Sequence, residues 1–187
     1  MIFATGDTHG NFLRFSTEHF PEQRQMRRSD YVIICGDFGG VWDASAEERY
    51  WLDWLDRKSF TTLWVDGNHE NYQYIYSYPV EEWNGGLVHR LSENIVHLMR
   101  GQIYDINGKR FFAFGGCKSS EKWKAEGLWY PEEEATDEEY ASAYENLKKR
   151  DNKVDYILTH KYCIDRHDPY LVQGLFDLTK FIDKNVD

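Results

Sequence analysis

Four short clusters in the 187-residue chain hold residue types that bind divalent cations or move protons: Asp7 and His9, Asp37, Asn68 to Glu70, and His160. Carboxylates, imidazoles and an amide oxygen in combination suit borderline or moderately hard divalent metals. Taken singly, each cluster has a plainer reading. Asp7 and His9 fit a strand-end turn, Asp37 a glycine-rich turn, Asn68 and His69 a turn with a helix cap, and His160 a core histidine. The joint pattern favours chemistry, because every cluster directly follows a run that reads as a buried strand. Glycines crowd the same points (Gly6, Gly10, Gly36, Gly39, Gly40 and Gly67). They let the backbone turn tightly and pass close to an ion or a phosphate.

The elements that must position these groups follow from periodicity. Ile2–Thr5, Tyr31–Cys35, Thr61–Val65 and Val154–Leu158 are short apolar runs expected to be buried strands. Ala46–Lys58 reads as an amphipathic helix with Trp51, Trp54 and Leu55 on one face. Strands alternating with helices predict an α/β layer, whose ligands bind beyond the carboxyl ends of the strands. Leu13–Phe20 is expected to be helical, stopping at Pro21. Gln102–Ile106 and Arg110–Phe114 flank Asn107-Gly108-Lys109, a hairpin signal. Leu87–Leu91 and Ile95–Met99 can add strands, so a second sheet with antiparallel character is expected beside the first. Thr136 and Glu139 form a capping box for a helix running to about Arg150. A last amphipathic helix is expected over Leu171–Ile182. The expectation is one α/β domain over residues 1–187, a two-sheet sandwich flanked by helices.

Apolar residues make up 41% and aromatics 17%, enough for a real core, so global disorder is disfavoured. The net charge of −10 argues against generic nucleic-acid binding. It leaves phosphorylated substrates open, because bound cations reverse the field inside a pocket. Cys35, Cys117 and Cys163 form no Cys-x-x-Cys pair, which disfavours a zinc ribbon or redox motif. With no signal-peptide pattern and no membrane-span run, free thiols point to a cytoplasmic protein.

Asp7-Thr8-His9-Gly10, Gly36-Asp37-Phe38-Gly39-Gly40, Gly67-Asn68-His69-Glu70 and Thr159-His160 resemble four successive motifs of the calcineurin-like metallophosphoesterases. The resemblance implies a metal-dependent phosphatase or phosphodiesterase working through two divalent ions (Mn, Fe, Zn, Co or Ni) and a water that they activate. By that resemblance Asp7 and His9 bind the first ion, Asp37 bridges both, and Asn68 and His160 bind the second. His69 faces the phosphate as a catalytic group, and Glu70 orients the loop or the imidazole. Lys118 and Lys122, with Lys124 near them, could reach a substrate phosphate, although solvated lysines are commoner. The aromatic segment Tyr72–Tyr78 could wall the cleft, but an aromatic core and surface cluster is the better reading.

Two departures stand out. The family's last motif, Gly-His-x-His, has no counterpart, because none of the seven histidines stands in a His-x-His pair. The chain is therefore expected to be incomplete at its C-terminus; the rival is a variant in which His167 or Asp168 substitutes. For an incomplete chain, weaker metal occupancy and possible homodimerisation through an open sheet edge are expected. Gly39-Gly40-Val41 also replaces the Asp-Arg-Gly of the protein phosphatases, which disfavours a protein substrate and leaves a phosphorylated small molecule or nucleotide. The alternative is a phosphate- or partner-binding module of the same fold that has lost catalysis.

Overall fold

The computed structural model describes residues 1–160; the helix expected over Leu171–Ile182, and His167 and Asp168, lie outside the described residues. The main sheet contains β1 (Ile2–Thr5), β2 (Tyr31–Cys35), β3 (Thr61–Val65), β4 (Val80–Trp83), β5 (Gly86–Arg90) and β6 (Ile95–Leu98), in the order β1-β2-β3-β6-β5-β4. Neighbours from β1 to β6 run parallel, and β5 and β4 add antiparallel pairs. The second sheet has the order β7 (Gln102–Ile106), β8 (Lys109–Ala113), β9 (Tyr156–Leu158). β7 and β8 form the expected hairpin, and Asn107 and Gly108 between them both have positive φ, at 51° and 75°. That backbone matches the twist of a two-residue hairpin.

The alternation of side chains sorts the layers. In β2 and β3 the paired Ile33 and Leu63 face the second sheet, while the paired Ile34 and Trp64 face the other way. Ile33, Leu63, Val88, Val96 and Leu98 meet Tyr104, Ile106, Phe111, Ala113 and Leu158 between the sheets. On the outer face of the main sheet, α1 (Ala46–Asp56) buries Leu55 against a cluster with Phe12, Phe38, Phe60 and Trp64. The Ser45 hydroxyl caps this helix by accepting from Glu48 N at 3.1 Å. On the outer face of the second sheet, α2 (Asp137–Lys148) buries Ala143 and Leu147 against Ile103, Phe112 and Phe114. The Thr136–Glu139 capping box at its start is present in both directions. Each fully buried aliphatic or phenyl side chain here contributes about 1.5–3 kcal/mol. The architecture is the two-sheet α/β sandwich, helices outside, that the sequence predicts.

Two expectations are corrected. Leu13–Phe20 does not form a helix; short 3-10 turns at Phe12–Phe15 and Pro21–Gln25 replace it. Phe12 and Phe15 are both buried there, a spacing of three that suits the tighter turn. The segments at Leu87–Leu91 and Ile95–Met99 are strands, but β5 and β6 extend the main sheet, not the second one. β6 pairs in parallel with β3, and the β5–β4 hairpin is carried with it.

Candidate metal centre

The tips of β1, β2, β3 and β9 lie along one edge, and the four clusters meet there. Thr8 N and His9 N both donate to the Asp37 carbonyl, at 3.1 and 2.8 Å, and Gly10 N donates to Phe38 O at 3.0 Å. These bonds lock the first two loops together. They also hold His9 and Asp37 at φ 45° and 46°, a region that side chains enter at a cost. Glycine is required at two close approaches. A Cβ on Gly36, whose φ is 93°, would run into the His160 ring, and one on Gly67 would strike the Asp37 carboxylate and backbone.

Ligand atoms of Asp7, His9 and Asp37 lie within 4.8 Å of one another. His9 Nε2 is 3.5 Å from Asp37 Oδ2 and 3.9 Å from Asp7 Oδ2. On the other side of the same carboxylate, His160 Nε2 is 3.5 Å from Asp37 Oδ1 and 3.2 Å from Asn68 Oδ1. The two Asp37 oxygens thus face different sets of donors. Donors that share an ion at roughly 2.0–2.2 Å stand about 3.0–3.5 Å apart, so the spacings of His9 and His160 to Asp37 and of His160 to Asn68 fit, while His9 and Asp7, at 3.9 Å, stand slightly wider.

The hydrogen bonds around the cluster sharpen that fit. His160 Nδ1 lies 3.1 Å from the Cys35 carbonyl, which only accepts, so a neutral ring bonded there carries its proton on Nδ1. The Asn68 amide donates through Nδ2 to Ser119 Oγ at 3.1 Å, and Ser119 Oγ donates to Glu133 Oε2 at 2.7 Å. Glu133 is fully buried and also accepts from Ser119 N. With both groups oriented this way, His160 Nε2 and Asn68 Oδ1 point lone pairs at each other across 3.2 Å. A cation between them resolves that contact. The residues present therefore fit a divalent metal.

The supporting shell is built from buried charge. Glu70 is fully buried and accepts from Phe38 N at 2.8 Å and Gly67 N at 3.3 Å, tying the tips of β2 and β3 together. Burial pushes its carboxyl well above the usual carboxylate range, against the pull of those backbone donors. The Glu70 bonds go to backbone, so it orients the loop. Asp66 precedes Gly67 and accepts from Arg100 Nε at 2.7 Å and from the Tyr72 hydroxyl at 3.0 Å. His97 Nε2 stands 3.2 Å from its other oxygen. Burial works to raise the Asp66 carboxyl, but Arg100 and His97 outweigh it and hold it below the usual range. His89 packs behind, its Nδ1 3.0 Å from His97 Nδ1, and burial followed by His97 lowers its pKa to about 4.

A cleft of about 420 Å³ opens over the donors, lined by Asp7, His9, Asp37, Asn68, His69 and His160 with Lys118, Ser119, Ser120 and Trp123. His69 offers its ring to this cleft, while its backbone N–H donates to Asp37 Oδ1 at 2.8 Å. Lys118 lines the cleft, with Glu134 Oε2 3.8 Å from its ammonium. Lys122 stands outside that lining, its ammonium 5.3 Å from the centre of the Trp123 ring. Lys124 pairs with Glu134 at 3.0 Å. Tyr72 is buried in the charged network and does not wall the cleft. Ser119, Ser120 and Trp123 were not singled out as candidates from sequence. Their only signal is position, since they follow the β8 tip and its Gly115-Gly116 pair.

These features define a class: an α/β sandwich with a candidate metal-binding cluster at the carboxyl edge of its main sheet. The model of the calcineurin-like phosphoesterase family matches residues 1–176, and the chain belongs to that family. No curated protein matches the chain. Among the described residues, no helix is long and apolar enough to cross a membrane.

Proposed function

We propose that the protein is a metal-dependent phosphoester hydrolase, with residues 1–187 acting as one domain on a phosphorylated small molecule or nucleotide. The observation that carries this reading is the convergence of His160 Nε2 and Asn68 Oδ1, 3.2 Å apart, beside a carboxylate whose two oxygens face separate donor sets. Asp7, His9 and Asp37 would hold one cation, and Asp37, Asn68 and His160 the other. Bound there, two divalent cations acidify a water and neutralise phosphoryl charge.

The remaining work falls to the chain itself. Asp37 separates the two halves of the site and is fixed by the His69 backbone N–H at 2.8 Å. Lys118, Ser119 and Ser120 line the cleft with polar groups that suit phosphoryl oxygens. A water oxygen forms the new bond to phosphorus, the bond to the leaving oxygen breaks, and that oxygen takes up a proton. His69 is the group in the cleft suited to supply it. The Cys35 thiol fits a reducing compartment, and the cytoplasm is the location we assign.

The test is hydrolysis of p-nitrophenyl phosphate and its bis-ester by the chain with added Mn²⁺. We expect metal-dependent release of p-nitrophenol, abolished in Asp37→Asn, because a neutral amide bridges two cations poorly. A second reading, a binding module without turnover, draws on the absence of any His-x-His pair in the sequence. Binding of inorganic phosphate with Mn²⁺ but no hydrolysis of either ester would favour that second reading and overturn the first.

A further inference from the structure

A second hollow, of about 530 Å³, adjoins the cleft and shares His9, His69 and Trp123 with it. Its other lining residues among those described are Gly39 and Trp42, and beyond the two shared histidines the described lining has no ionisable side chain. The two hollows therefore differ in chemistry on either side of His69. The first carries carboxylates, a lysine and two hydroxyls, and the second is walled by two indoles.

Trp42 is 40% exposed, an unusual place for the largest apolar side chain. Its backbone is nonetheless fixed from both ends. Trp42 N donates to Glu48 Oε2 at 2.5 Å, and the Trp42 carbonyl accepts from Asn71 Nδ2 at 2.6 Å. Glu48 also accepts from Asp43 N at 2.9 Å and Ala44 N at 3.2 Å, so one carboxylate gathers the whole turn that carries the indole. The opposite wall is set by the site itself, because Trp123 meets the His69 ring edge-on, with centroids 5.2 Å apart at 88°. The turn that carries Trp42 and the ring of Trp123 are thus held in place before anything binds, which lowers the ordering cost of a ligand between them.

Resting on the phosphoesterase reading above, we propose that this hollow receives the leaving group of the substrate, and that the leaving group carries a planar aromatic ring, a nucleobase or an aryl group. The leaving oxygen must come within hydrogen-bond reach of His69 to be protonated. The atoms attached to it then enter the space next to His69, and of the two hollows only this one lacks the charged groups that would desolvate poorly against a ring. Indole faces stack on any aromatic ring, which selects the class without choosing one member.

The experiment measures apparent dissociation constants from competition with initial-rate p-nitrophenyl phosphate hydrolysis by the full chain with Mn²⁺, using phenyl phosphate, adenosine 5′-monophosphate, ribose 5-phosphate and inorganic phosphate. We expect one or both ring-bearing ligands to bind about tenfold tighter than ribose 5-phosphate, the size of effect that stacking supplies. Preference for phenyl phosphate alone assigns an aryl group, and tight binding of the adenosine ligand assigns a nucleobase. The advantage should fall to within twofold in Trp42→Ala and be largely restored in Trp42→Phe, which keeps a ring at the same place. Equal binding of all the organic phosphates would overturn the aromatic slot while leaving the phosphoesterase reading intact. Failure of inorganic phosphate to bind would overturn that reading and the slot with it.

Discussion

His160 Nδ1 is committed to the Cys35 carbonyl, and that bond decides what its other nitrogen can do. Ser119 does the same for Asn68, since it accepts from the amide nitrogen and leaves the oxygen facing inward. Groups that orient a ligand in this way are worth about 10–100-fold in metal affinity. Ser119→Ala is therefore expected to weaken binding of one of two Mn²⁺ ions by about tenfold or more in a calorimetric titration. Two ions bound with unaltered affinities would show that the Asn68 amide needs no anchor. This anchor was not legible in the sequence. Asn68 was recognisable from Gly67-Asn68-His69-Glu70, but Ser119 reaches it from the loop after β8, held there by Glu133 of the 3-10 turn Pro131–Glu133, and nothing in local spacing signals a partner 51 residues away.

At the scale of elements, the β3 tip depends on a salt bridge in the interior. Arg100 is 7% exposed and Asp66 1%, so removing either charge strands the other away from water. Arg100→Leu should destabilise the protein by about 3–5 kcal/mol in urea unfolding, well beyond the loss from its packing alone. A change under about 1 kcal/mol would mean that water reaches Asp66 readily. β2 and β3 were legible because each is a continuous apolar run in the middle of the parallel part of the main sheet, and β1 and β9, less buried, still show as short runs rich in apolar residues. Val80–Trp83 was missed, because its four residues lie at a sheet edge with two glutamates exposed and show no apolar run. Leu13–Phe20 misled because Phe12, Phe15 and Phe20 look like a helical stripe. The 3-10 turn Phe12–Phe15 buries both of its phenylalanines, and Phe20 packs partly buried against the same cluster. The join of β6 to β3 is a matter of sheet order, which strand periodicity does not encode.

For the whole molecule, pH acts on stability through buried His89. The pKa of His89 is lowered from 6.5 to about 4 in the folded protein, by burial first and His97 second. Between those values the unfolded chain takes up a proton that the folded chain refuses. This contribution is complete above the unfolded value near 6.5 and is lost as pH falls toward about 4. After allowance for solvent screening it amounts to about 1–2 kcal/mol. Urea midpoints should drop between pH 7 and pH 4.5, and His89→Asn should flatten that part of the profile. An unchanged slope in the variant would locate the acid sensitivity elsewhere. The fold also converts a chain of net charge −10 into one that gathers Asp7 and Asp37 at a single edge, where two carboxylates so close repel unless a cation joins them.

The most direct measurement is anomalous diffraction from crystals of the chain soaked in Mn²⁺. The account predicts two peaks about 3.5–4 Å apart, one on each side of the Asp37 carboxylate. The first should touch Asp7 and His9, and the second Asn68 and His160. No peak at this edge under saturating Mn²⁺, or peaks that leave Asp37 untouched, would contradict it.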